Sequence, residues 1–220
     1  MVYFACDTRK KAVILLSGGL DSTGYMLLLK DKYKLFALII EYGQKSEEVD
    51  RAVEWAKKYN IIYKILHLHG ESIWNNALMQ GTPENLYQGD EYNTQKKNLV
   101  EGRNPLFILL AGIYASKVGA DTVITGFHKE PRVSPFKDGK TNYFKDINSL
   151  FKKTFVHKMK VIAPFHKLKR EEIARRAYKI DKELFSNTTS CYEGGDCGKC
   201  VHCVKKREIM ETVLSHSVGE

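Results

Sequence analysis

Ser17-Gly18-Gly19-Leu20-Asp21-Ser22 is the stretch on which the reading of this 220-residue chain turns. The apolar run Ala12-Val13-Ile14-Leu15-Leu16 leads into it, and residues 22–30 lead out with helical spacing. A buried strand that ends in a glycine turn and opens a helix is a site for an anion. Unpaired N–H groups and the partial positive charge of the helix start converge there. Gly18 and Gly19 present backbone with no side chain in the way, and Ser17 and Ser22 add hydroxyl donors. Asp21 would repel a phosphate unless a cation lay between them, so it implies Mg²⁺. The spacing differs from the G-x-x-x-x-G-K-[ST] loop of phosphoryl-transfer enzymes.

Outward from this loop, strands are expected at 12–16, 35–42, 63–68, 121–126 and 160–164, and helices at 22–30, 47–59, 104–118, 143–151 and 169–178. Strands alternating with helices predict an α/β fold with a doubly wound, mostly parallel sheet. Ligands of such sheets bind outside the carboxyl ends of the strands, so Ser17–Ser22, Tyr42–Gln44 and Gly126–His128 are expected around one crevice. The polar segment 70–98 is too long for a simple connection and reads as a lid, a binding loop or an oligomer contact. The expected division is an α/β domain that carries this loop over 1–185 and a cysteine-rich segment with a final helix over 186–220.

Composition narrows the function classes. Lys plus Arg outnumber Asp plus Glu by 35 to 26, but the basic residues fall in scattered pairs, which reads as solvated helix faces and not as a nucleic-acid surface. Hydrophobic content is 43%, and no apolar run reaches membrane-span length. The first residues do not have the form of a secretory signal, and five cysteines are an uneven set for a disulfide scaffold. Both point to a reducing, cytoplasmic setting.

Four of those cysteines form Cys191-x₅-Cys197-x₂-Cys200-x₂-Cys203. Two thiolates two residues apart bind one ion in a tight turn, eased here by Gly198, and four at about 2.3 Å complete a tetrahedral Zn²⁺ shell. A closed shell holds structure and leaves no place for a reactive water. An iron–sulfur cluster also takes four cysteines and is the rival occupant.

The loop itself resembles the S-G-G-x-D-S signature of the PP-loop ATP pyrophosphatases, which grip pyrophosphate and pass AMP to a substrate oxygen. Loop and cysteines together resemble the 7-cyano-7-deazaguanine synthase family, from Val13 to about Glu211. The marks are Leu15 to Thr23, Tyr42-Gly43-Gln44, Gly102-Arg103-Asn104, Gly126, and Thr189-Ser190-Cys191-Tyr192 with the three later cysteines. The resemblance implies a Rossmann-like PP-loop fold, ATP and Mg²⁺, a homodimer, and a ligase that turns 7-carboxy-7-deazaguanine and ammonia into the nitrile through adenylated intermediates.

From that reaction follow the expected roles. Ser17, Gly18, Gly19, Asp21, Ser22 and Thr23 hold pyrophosphate and Mg²⁺, with Leu15, Leu16, Leu20, Tyr42 and Gly126 completing the nucleotide site. Ser17, Asp21, Ser22 and Arg103 are the expected catalytic set. Arg103 is a fork for the substrate carboxylate or the α-phosphate, or else a salt bridge at a helix start. Asn104 touches ligand or caps that helix. Gln44, Asp138 and Lys140 complete the substrate pocket, Asp138 facing the guanine-type N–H edge or serving the turn before Gly139. The family's loop usually reads D-Y-S-G-Y-P-D-C-R; here Asp138 is kept and Lys140 stands at the arginine position. That difference motivates one alternative, the same activation ending at an amide or another acceptor. The net charge of +9 motivates a second, a tRNA-thiolating or RNA-binding zinc protein.

Overall fold

A computed structural model describes residues 7–44, 47–69, 100–128, 142–191 and 194–215. The segment 70–98, Asp138 and Lys140 lie outside these residues. Five strands, β1 (Lys10–Leu15), β2 (Tyr33–Glu41), β3 (Ile62–His67), β4 (Thr122–Ile124) and β5 (Lys160–Ile162), form one sheet in the order β3-β2-β1-β4-β5. Every pairing is parallel. The helices are α1 (Leu20–Leu29), α2 (Glu48–Lys58), α3 (Arg103–Val118), α4 (Tyr143–Thr154), α5 (Arg170–Ile180) and α6 (Val201–Ser215).

β2 shows why the sheet is covered twice. Its centre, Leu35 to Ile40, is buried at every position. Leu35, Ala37 and Ile39 join one core with side chains of α1, α2, α5 and α6. Phe36, Leu38 and Ile40 join the other, with side chains of α3 and α4. Alternation along one strand thus feeds two hydrophobic layers, as expected of a parallel sheet buried on both faces. The chain winds outward from β1 to β3 with α1 and α2 on one face, then returns past β1 through α3 on the other. β1 and β4 are therefore the switch point, where the loops that follow them part.

Boundaries move where local chemistry dictates. α1 starts at Leu20 and not at Ser22, because Gly19 is its extended N-cap at φ −77° and ψ 163°. Leu20, Asp21 and Ser22 are thus the first turn, and the first intrahelical bond runs from Thr23 N to the Gly19 carbonyl at 3.1 Å. α3 starts at Arg103, with Gly102 as its left-handed N-cap at φ 74°. Asn104 lies inside the helix, which removes the capping alternative for it. β4 is shorter than expected, although Thr125 N still reaches the Ile162 carbonyl at 3.0 Å. The final helix, α6, inserts Ile209 and Val213 into the core beside α5.

An ion pair ties α2 to the end of α5. Asp181 Oδ2 takes Lys58 Nζ at 2.6 Å and the Tyr59 hydroxyl at 2.7 Å, and its Oδ1 takes the Glu183 N–H at 2.9 Å. Burial pushes the Asp181 carboxyl up, but these partners more than offset it and hold it below its usual value. A carboxylate depressed in the folded state stabilises above its unfolded pKa of about 3.9, and that contribution fades as pH falls through the folded value. Asp181→Ala is expected to lower the unfolding free energy by about 1–3 kcal/mol at pH 7. In urea titrations at pH 7 and pH 3 the gap between variant and parent should shrink at the lower pH. An equal gap at both would deny the pairing its role.

Candidate functional site

A cleft of about 340 Å³ opens at the switch point. This is the size of a small-molecule site. Leu15, Leu16 and Ser17 reach it from the end of β1, Asp21 and Ser22 from the first turn of α1, and Tyr42 from the end of β2. Arg103, Asn104 and Phe107 line it from α3, and Thr125, Gly126 and Phe127 from the end of β4. Three separately expected groups, the loop, Tyr42 and the Arg103-Asn104 pair, therefore meet in one place.

The loop is held by its own hydroxyls. Ser17 N–H donates to Ser22 Oγ at 3.1 Å, the two Oγ atoms lie 3.0 Å apart, and Ser22 Oγ donates to the Gly19 carbonyl at 3.3 Å. Gly18 has φ +79°, and a Cβ there would lie 2.2 Å from the Glu48 carbonyl oxygen and 2.7 Å from Ala52 N. The residue is glycine because α2 passes against it, not only because a ligand needs room. A Cβ on Gly126 would meet Ser22 Cα at 3.2 Å, so the end of β4 also presses on the helix start.

Asp21 has a partner that sequence reasoning missed. Arg170 Nε, at the start of α5, donates to Asp21 Oδ1 at 2.7 Å, and His128 Nε2 lies 3.8 Å from Oδ2. Asp21 opens α1 and Arg170 opens α5, so the close packing of these two helices accounts for their meeting. Glu48, Phe107, Thr125 and Phe127 are further wall residues with no motif of their own. Position after a strand end or in the first turns of a helix is the signal they carried.

Across the cleft, Arg103 Nη1 donates to the Tyr42 hydroxyl at 3.1 Å, its guanidinium lies 5.8 Å from the Tyr42 ring centre, and its Nε meets Asn104 Oδ1 at 3.3 Å. Phe107 packs edge-on to Tyr42 at 5.2 Å. Burial pushes the Tyr42 phenol above its usual value, more than the Arg103 charge lowers it, so the hydroxyl stays protonated at neutral pH. The pair presents a fixed cation braced by an aromatic wall.

Other expected residues sit behind this surface. Gln44 is buried: its Oε1 takes the Tyr42 N–H at 2.7 Å and its Nε2 donates to the Ile40 carbonyl at 3.2 Å. It closes the turn after β2 and does not line the cleft. The Leu20 side chain lies in the core, and Thr23 is fully buried, its hydroxyl without a hydrogen-bond partner among the described residues. Tyr25 acts from below: its hydroxyl donates to the Phe127 carbonyl and accepts the Phe165 N–H at 3.0 Å, fixing the chain that follows β4. His67 pairs with Glu41 across β2 and β3.

The four cysteine sulfurs lie within 4.8 Å of one another and form a group able to hold a metal ion. Cys191 is fully buried and Cys203 nearly so. Cys197 N–H points at Cys191 Sγ and Cys200 N–H at Cys197 Sγ, both at 3.4 Å, the pattern of a turn wrapped around thiolates. Burial works to raise the Cys197 thiol, but the Lys199 and Cys200 N–H groups and the neighbouring thiols leave it lowered to about 7. No described helix is long and apolar enough to cross a membrane.

A family model described as queuosine biosynthesis protein QueC matches residues 11–214. The 7-cyano-7-deazaguanine synthase of Shouchella clausii is 32% identical over 218 residues, covering 95% of this chain and 97% of the relative. The enzyme of the same name from Prochlorococcus marinus is 34% identical, covering 89% of this chain and 91% of its own. Among solved structures, one described as a predicted subunit of tRNA methyltransferase from Methanocaldococcus jannaschii aligns at a TM-score of 0.50 and 17% identity over 76% of this chain and 74% of that one, a likeness of fold alone. The match over nearly the whole length, together with the glycine loop and the four clustered thiols, establishes that the chain belongs to the QueC family of 7-cyano-7-deazaguanine synthases.

Proposed function

We propose that this chain is an ATP-dependent ligase that converts 7-carboxy-7-deazaguanine and ammonia into 7-cyano-7-deazaguanine. The observation that carries the reading is the cleft at the switch point, where an anion loop faces a braced guanidinium, in a chain of this family. A carboxylate resists ammonia because its oxygen leaves poorly. Attack of that oxygen on the α-phosphorus of ATP expels pyrophosphate and makes the oxygen part of AMP. Ammonia then displaces AMP to give the amide. The amide oxygen is activated by a second ATP, and loss of AMP and protons leaves the nitrile. Each activation gathers negative charge at phosphorus, so donors fixed before the reaction are what the site must supply.

Ser17 and Ser22, which line the cleft, are suited to the pyrophosphate, and Arg103 to the carboxylate or the α-phosphate. Arg170 adds a cation beside Asp21, offsetting the carboxylate's repulsion of phosphate. Asp21 is the carboxylate that would hold Mg²⁺, which when bound neutralises the phosphates. At the cysteines we assign Zn²⁺. A tetrahedral ion with bonds of about 2.3 Å needs sulfurs roughly 3.8 Å apart, which the observed spread of at most 4.8 Å approaches. A multi-iron cluster needs a wider cage.

The test is incubation with ATP, Mg²⁺, the carboxy-deazaguanine and ammonium, followed by mass spectrometry. The nitrile with two AMP per product is expected. Amide alone, with one AMP, would favour the relative that stops early, and no AMP from any deazapurine acid would overturn the reading.

A further inference from the structure

The chain joins the metal turn to the anion loop through Thr189. Its backbone N–H donates to the Gly18 carbonyl at 3.2 Å. Its own carbonyl oxygen lies 3.3 Å from where a Cβ on Gly19 would stand. Its hydroxyl takes the backbone N–H of Cys191, the most buried of the four thiol residues, at 3.3 Å. One residue thus touches both loop glycines on one side and a metal ligand's backbone on the other.

The neighbours of Thr189 are tied down as well. Asn187 Oδ1 takes Arg51 Nη1 at 2.8 Å and its carbonyl takes Trp55 Nε1 at 2.7 Å, both from α2. The Thr188 carbonyl takes Lys206 Nζ from α6, the helix that carries Cys203. Thr188, Thr189, Ser190 and Cys191 are all buried. A short, buried strap has few ways to absorb a displacement at one end, so a shift of Cys191 is passed to Gly18 and Gly19.

We propose that Thr189 is a positioning residue that couples the cysteine site to the anion loop, so that metal occupancy and nucleotide affinity rise together. The proposal rests on the reading of residues 17–22 as the nucleotide's phosphate site. Linkage makes the effect reciprocal: ATP must strengthen metal binding by the factor by which metal strengthens ATP binding.

Two measurements on the full chain test it. The first is the affinity for Mg–ATP by calorimetry with zinc bound and with zinc stripped, set against the affinity for zinc, by competition with a chelating dye, with and without ATP. Both ratios are expected at about tenfold and equal. In Thr189→Val, which keeps the shape and loses the hydroxyl, both should fall to about one, and Thr189→Ser should restore them. Equal ATP affinities with and without metal, or an undiminished ratio in Thr189→Val, overturn the coupling. The second is hydrogen exchange on the zinc-loaded chain, which does not depend on the stripped protein staying folded. Exchange at 18–23 and 189–191 should quicken in Thr189→Val while β1 and β2 stay protected; unchanged exchange in the loop overturns the coupling. Should zinc-loaded parent bind no ATP, the nucleotide reading fails, and hydrogen exchange still decides whether the strap transmits.

Discussion

Gly18→Ala should abolish AMP release and lower the melting temperature by about 6–12 °C. Two costs add. The residue sits at φ +79°, where a side chain is strained, and the new Cβ would stand 2.2 Å from the Glu48 carbonyl oxygen and 2.7 Å from Ala52 N. Both obstacles are backbone atoms, so no rotamer change relieves them. α2 must back away from the loop, and overpacking plus strain cost about 3 kcal/mol. At about 2–4 °C per kcal/mol for a chain of this size, that gives the stated shift. Activity should fall further than stability, because Glu48 and the loop line one cleft and a displaced α2 misplaces both walls. Gly19→Ala is the control. Its nearest obstacles are the Thr189 carbonyl at 3.3 Å and Ser17 Oγ at 3.4 Å, so its melting temperature should move much less. Differential scanning calorimetry and an AMP assay on the two variants check the contrast. Equal shifts would mean that the close approach of α2 is not what requires a glycine.

What was legible in the sequence was whatever is set by pattern along the chain. The apolar centre of β2 reads as a strand buried on both faces and is one, and the alternation of strands and helices gives the parallel sheet. The glycine turn places the cleft, since a strand that ends in one and opens a helix leaves its N–H groups in one direction only. Partners brought together by packing were not legible. Arg170 follows Asp21 by 149 residues and meets it because α5 lies on α1, which no local pattern states. Gln44 belongs to the Tyr42-Gly43-Gln44 mark, but its bonds to the Tyr42 N–H and the Ile40 carbonyl, which close the turn after β2, are not stated by that mark. Thr189 looked like part of the cysteine motif, and its bond to Gly18 exists only because the tail folds back over the loop. Sequence spacing reported the ligands of each site, and tertiary contact decided which residues hold those ligands in place.

Cys191→Ser should remove the metal and loosen the cysteine turn at residues 191–203 without unfolding the sheet. Zinc content is expected to fall from about one per chain to near zero, because a neutral serine hydroxyl is a poor substitute for a thiolate at a closed site. Cys191 is the sensitive member of the four. It is fully buried, its sulfur receives the Cys197 N–H, and its backbone is the one bonded to Thr189. Without the ion, three thiols crowded within 4.8 Å of one another lose the charge that holds them together. Structural zinc sites supply about 10–16 kcal/mol in small peptides, so even a modest share of that here exceeds any single packing change. α6 retains an anchor of its own, since Ile209 and Val213 lie in the core beside α5 and Lys206 reaches the Thr188 carbonyl. The unfolding should therefore centre on residues 191–203, with limited proteolysis cutting there before the rest of the chain melts. Cys200→Ser, at a partly exposed position, should show a smaller loss of metal. Metal analysis by mass spectrometry and a proteolysis time course read both outcomes. Undiminished zinc in Cys191→Ser would mean that the four thiols do not form one closed shell.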